Sequence, residues 1–128
     1  MNNPVAWFEI YVQDMPRAKA FYEAVFQTQL TQLPAPGEVG GLEMWTFGSS
    51  MEEYGAAGAL CKMEGVPPLG SGLGTLVYFK CVDCAVEAAR AVENGGSVFK
   101  EKVSIGEFGF MALVNDTEGN MIGLHSMA

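Results

Sequence analysis

From Val5 to Val12 the side chains alternate as they would along a strand. Phe8, Ile10 and Val12 fall on one face, and Trp7, Glu9 and Tyr11 on the other. The first set is wholly apolar and is expected to pack against helices. The second is amphipathic and suits the wall of a cavity. Asp14 follows as a helix N-cap, able to accept bonds from the free N–H groups of a first turn, and Pro16 stands where a helix start tolerates it. Ala18, Phe21, Tyr22, Val25 and Phe26 recur at three and four residues, which predicts a helix with one apolar stripe ending near Gln27 or Thr28. Strands are predicted at 29–33, 42–47 and 56–63, separated by Pro34, Pro36, Gly40, Gly41 and a loop at 48–55 that contains Met51-Glu52-Glu53-Tyr54.

The order then restarts. Residues 64–74 hold Pro67, Pro68 and several glycines and read as a linker. A strand is predicted at 75–82, a second N-cap at Asp83, and a helix at 85–93 with Val86, Ala89 and Val92 on one side. Asn94-Gly95-Gly96 supplies its stop. Strands at 97–102, within 106–114 and at 121–127 complete the chain, with a turn at 116–120. The two caps stand about 69 positions apart, so the pattern is β-α-β-β-β used twice. The expectation is a single α+β domain over 1–128, with one βαβββ module at 4–65 and another at 75–128. Together they form a curved eight-stranded mixed sheet that encloses a cavity, with the helices on its outer face.

Two stretches carry a family resemblance. One is Trp7-Phe8-Glu9-Ile10-Tyr11-Val12-Gln13-Asp14, continuing to Ala20-Phe21-Tyr22 and Val25-Phe26. The other is Asp116-Thr117-Glu118-Gly119-Asn120 followed by Ile122-Gly123-Leu124. In this order and spacing they resemble the vicinal oxygen chelate superfamily of glyoxalases, bleomycin-resistance proteins and extradiol dioxygenases. Thr117 stands where that family's turn usually has Pro. The resemblance implies a homodimer, and for the family's enzymes a divalent metal held by His and Glu from the first, fourth, fifth and eighth strands. Carried onto this chain, those positions fall on Trp7, on Leu60 or Cys61, on Val77 and on Gly123. Such side chains are not a ligand set for Mg, Mn, Fe, Ni or Zn, so no metal and no other cofactor is expected.

Charge and candidate chemistry narrow the function. A net charge of −8, from 7 basic and 15 acidic side chains, disfavours nucleic acid and anionic membrane as partners. The apolar runs are too short for a membrane span and the start Met-Asn-Asn-Pro is unlike a signal peptide. Cys61, Cys81 and Cys84 fit a reducing compartment, so a cytoplasmic location is expected. Cys81-Val82-Asp83-Cys84 has redox spacing in a setting unlike a thioredoxin, and Gly70 to Gly74 precedes a strand instead of opening a helix, so it is no phosphate cradle. Glu9 and the sole histidine, His125, are the candidate catalytic groups: each lies two residues beyond a family ligand position, on the same strand face. Trp7, Tyr11 and Trp45 offer flat walls for a planar ligand, joined by Tyr78 or Phe79 depending on the fifth-strand register. The expected function is metal-independent binding of a small planar or aromatic molecule at Trp7, Glu9, Tyr11, Trp45 and His125. The alternative is a glyoxalase-related lyase, isomerase or dioxygenase-like enzyme using Glu9 and His125, and a third reading is a regulatory module that chiefly dimerises.

Overall fold

A computed structural model of the chain describes residues 3–34, 41–48, 54–63 and 74–128. Most of the predicted linker and most of the loop at 48–55 lie outside the described residues. The elements are β1 (Val5–Tyr11), α1 (Met15–Phe26), β2 (Thr31–Leu33), β3 (Glu43–Gly48), β4 (Ala57–Lys62), β5 (Thr75–Lys80), α2 (Cys84–Glu93), β6 (Ser97–Ser104), β7 (Phe110–Asn115) and β8 (Met121–Ser126). A 3-10 turn at Gly106–Phe108 leads into β7. Among the described residues no helix is long and apolar enough to cross a membrane.

The strands form one curved mixed sheet in the order β2-β3-β4-β1-β5-β8-β7-β6. The first four strands therefore lie on one side of the sheet and the last four on the other. They meet where β1 pairs antiparallel with β5, and in each half the first strand pairs parallel with the last, β1 with β4 and β5 with β8. At the meeting line Phe8 stands directly opposite Val77. Their separation of 77 − 8 = 69 positions equals that of the caps, 83 − 14 = 69, so the repeat seen in the sequence is also a two-fold relation across this seam.

The caps form as their chemistry requires. Asp14 accepts a bond from the Arg17 N–H at 3.0 Å, and Asp83 accepts one from the Ala85 N–H at 3.1 Å. α1 ends at Gln27 in the left-handed region (φ 54°). Asp116 closes the last turn by accepting from the Glu118 and Asn120 N–H groups, with Gly119 at φ 84°.

Both helices cover the same face of the sheet. Met15 of α1 packs with Leu30 and Leu60, joined by Ile10, Ala18, Tyr22 and Trp45. Cys84 and Ala88 of α2 pack with Ala112, Val114 and Leu124. The side of α2 that turns inward is not the predicted Val86, Ala89 and Val92. Val86 and Val92 are exposed, and Cys84, Ala88 and Ala91 face the strands. Small side chains at positions i, i+4 and i+7 let the helix lie close to the sheet, where branched valines would hold it off. The predicted stripe of α1 also splits: Ala18 and Tyr22 reach the core, while Phe21, Val25 and Phe26 are exposed. Among the described residues no helix packs on the other sheet face, which holds two clusters, Met44, Ala59 and Cys61 from the first half and Leu76, Tyr78, Met111 and Leu113 from the second.

A close contact fixes one side chain on that uncovered face. Tyr78 is paired with Gly123 across β5 and β8, and a Cβ at Gly123 would collide with the Tyr78 ring. Gly123→Ala should therefore destabilise the fold by about 1–3 kcal/mol through overpacking, read as a lower midpoint in urea unfolding. An unchanged midpoint would show that Tyr78 is free to move aside.

Candidate functional site

The alternation of β1 sends Trp7, Glu9 and Tyr11 to the uncovered face, and the register with β5 brings Tyr78 beside Trp7. Glu9 is the centre of the group, with only 6% of its surface exposed. Its Oε2 accepts the Trp7 indole N–H at 3.1 Å. Its Oε1 accepts the Tyr11 hydroxyl at 2.7 Å and the Tyr78 hydroxyl at 3.3 Å. Two donors thus flank the carboxylate on its own strand and a third crosses the seam. Tyr78 occupies the position related to Glu9 by the repeat, since 78 − 9 = 69.

Burial sets the electrostatics here. It raises the Glu9 carboxyl above the ordinary carboxylate value, opposed but not outweighed by the bonds from Tyr11, Trp7 and Tyr78. Burial also pushes the Tyr11 and Tyr78 hydroxyls and the Cys61 thiol well up, and the Glu9 charge adds to each shift. All three stay protonated through the neutral range. Trp7 and Tyr11 pack against both clusters of the uncovered face, so the site sits on the line where the two halves join.

Three of the predicted residues, Trp7, Glu9 and Tyr11, are brought together, and Tyr78, not Phe79, completes the group. Trp45 does not join them. It lies on the helix-covered face, where it donates to Glu43 at 2.9 Å and carries the Lys19 ammonium 3.5 Å above its ring. The reason is parity: Trp45 pairs with Leu60 and Leu60 with Ile10, all on the face opposite Glu9. His125 shares the Glu9 face but stands level with Lys80, two strands away and about 13 Å along the strand direction. There its Nε2–H donates to the Phe108 carbonyl at 2.6 Å. The expected Glu9–His125 pair is therefore not formed.

The same register corrects the family ligand positions. Val77 pairs with Phe8 on the helix side, and Leu76 is the position equivalent to Trp7. On the fourth strand Leu60 turns to α1 and Cys61 to the site. The side chains facing the uncovered side at those places are thus Trp7, Cys61, Leu76 and Gly123, of which only the Cys61 thiol could ligate, and it is held protonated. Among the described residues no three His, Cys, Asp or Glu side chains gather as a ligand set. These residues do not fit a divalent cation. The Cys81 thiol is pushed up to about 11, first by burial and then by the Glu87 carboxylate, the reverse of what a reactive Cys-x-x-Cys pair requires.

Residues 5–124 match the family model of the Glyoxalase/Bleomycin resistance protein/Dioxygenase superfamily. A "Glyoxylase-like domain-containing protein" of Didymella fabae is 27% identical over 124 residues, spanning 94% of this chain and 91% of that one. Methylmalonyl-CoA epimerase from Mycobacterium tuberculosis superposes with a TM-score of 0.68 at 14% identity, over 98% of this chain and 88% of its own. A variant of Streptomyces coelicolor methylmalonyl-CoA epimerase, in complex with 2-nitronate-propionyl-CoA, gives 0.65 at 18% identity over 98% of both chains. At these identities the epimerases share the fold.

The raised Glu9 pKa makes stability depend on pH in a definite direction. Where the unfolded chain has ionised this residue and the folded chain resists, the native state holds more protons. Its contribution is complete below about 4.5 and is lost as pH rises through the raised folded value. Glu9→Gln keeps the bonds, its oxygen accepting from Trp7 and its amide donating to the tyrosine oxygens, and removes the charge. The difference in unfolding free energy between Glu9→Gln and the parent should therefore grow in favour of the variant as pH rises from about 4.5. Glu9→Ala should instead lose about 1–3 kcal/mol by leaving buried donors unpaired. A flat difference curve for Glu9→Gln would contradict a carboxyl raised by burial.

Proposed function

The chain belongs to the Glyoxalase/Bleomycin resistance protein/Dioxygenase superfamily, and from that premise we propose that it binds a small planar or aromatic molecule at the seam of the uncovered sheet face, without a metal of the family type. The observation that carries this reading is the buried Glu9 carboxylate set among Trp7, Tyr11 and Tyr78. A polar anchor inside an aromatic and apolar lining is the usual make-up of a small-molecule site: flat surfaces supply contact area and one fixed group sets orientation. Chemistry through a Glu9–His125 pair is not proposed, because His125 is committed to Phe108 at a distance from Glu9. A homodimer and a cytoplasmic location accompany the proposal, the first on the family resemblance and the second on cysteine usage.

A screen of planar aromatic compounds by thermal shift, followed by tryptophan fluorescence, tests it. Trp45→Phe leaves Trp7 as the sole indole and should keep ligand-induced quenching, whereas Trp7→Phe should abolish it. Tyr11→Ala should weaken binding by about tenfold, the scale of one lost aromatic contact. Quenching confined to Trp45, or a panel in which no compound raises the melting temperature, would reject the site. Sedimentation at twice the chain mass checks the dimer.

A further inference from the structure

We propose that the molecule bound at this site is a cation, a planar compound carrying an amidinium, guanidinium or primary ammonium group that is held by Glu9. The inference deepens the binding reading above and rests on it.

The first argument is a count of hydrogens. Each tyrosine hydroxyl has one, and those of Tyr11 and Tyr78 are both directed at Glu9 Oε1. The single Trp7 N–H is directed at Oε2. With Glu9 ionised, these four side chains have no donor left for a ligand. What they still present is acceptors: the lone pairs of the two hydroxyl oxygens and the less occupied Oε2. A partner must therefore bring N–H or O–H donors. A carboxylate, a phosphate or an acyl-CoA thioester would find none in these four side chains.

The second argument is charge. All seven lysines and arginines fall within the described residues, and none forms an ion pair with Glu9. Arg17 pairs with Asp14, Lys102 pairs with Asp83, and Lys19 lies over Trp45 on the opposite face. Among the described residues the buried carboxylate thus has hydrogen bonds and no counter-ion, an arrangement that a bound cation completes. Aromatic faces favour the same guest, and the net charge of −8 draws cations to the surface. Among the described residues the titratable groups facing Glu9 are Tyr11 on β1, Tyr78 from β5 and Cys61 from β4. All three are held protonated, so the pH response of binding belongs to Glu9 itself.

Three isosteric probes separate the possibilities: benzamidine, benzamide and benzoate, measured by calorimetry and thermal shift on the intact chain. Benzamidine should bind at least about tenfold more tightly than either of the others, the discrimination expected of a charge-assisted bond in a dry site. Its affinity should fall as pH is lowered and Glu9 takes up a proton, and Glu9→Gln should erase its advantage. Equal binding of benzamide or benzoate to the parent protein would overturn the cation and leave the planar-ligand site standing. If none of the three binds, the cation inference fails outright, and the wider planar panel decides the site separately.

Discussion

The uncovered face of this sheet is organised by the cost of taking one carboxylate out of water. Glu9 sits where apolar and aromatic side chains exclude solvent, and a charge there is tolerable only if donors replace the lost water. Trp7 and Tyr11 do so from the same strand, and Tyr78 does so from the other half of the chain. The last bond makes the carboxylate a tie across the seam between the halves. It also explains why the residues on either side are indole and phenol: each combines a flat apolar body with one polar hydrogen. Polar groups with more atoms to satisfy would have added to the cost.

The duplicated fold makes the arrangement possible. Pairing β1 with β5 at the centre of the sheet brings equivalent residues of the two halves next to each other, and Glu9 and Tyr78 are such equivalents. The repeat thereby places a carboxylate and a phenol where like residues would otherwise meet. The glycine at position 123 leaves room beside β8 for the Tyr78 ring, whose hydroxyl reaches Glu9. On the other face the sheet is closed by helices, and there packing alone decides. Cys84, Ala88 and Ala91 allow α2 to lie close, while α1 leaves Phe21, Val25 and Phe26 in solvent.

The superfamily frame is thus retained while its metal positions carry other side chains. Trp7, Cys61, Leu76 and Gly123 offer packing volume and space where carboxylates and imidazoles would be needed for a cation. Two residues along β1, Glu9 takes donors from Trp7, Tyr11 and Tyr78 and keeps acceptor capacity on Oε2. The same scaffold that holds a charged centre in metal-binding relatives here holds a buried carboxyl group wrapped in aromatic donors.

Much of this was legible along the chain. Alternation in β1 separates a helix face from an amphipathic face because strand geometry has a period of two, and it places Trp7, Glu9 and Tyr11 together. Asp14 and Asp83 mark the helix starts because capping is local chemistry, and their spacing carries the repeat. What the tertiary structure decided was register and choice of face. The 69-position repeat relates Trp7 to Leu76, and the folded register turns Leu76 to the site and Val77 to the helices, since a slip of one turns a strand over. Trp45 as a site wall, His125 as a partner for Glu9, and Val86 with Val92 as the buried side of α2 all depended on which neighbours the folded chain supplies. Those neighbours are set by strand pairing and helix approach between distant segments, which no local pattern encodes.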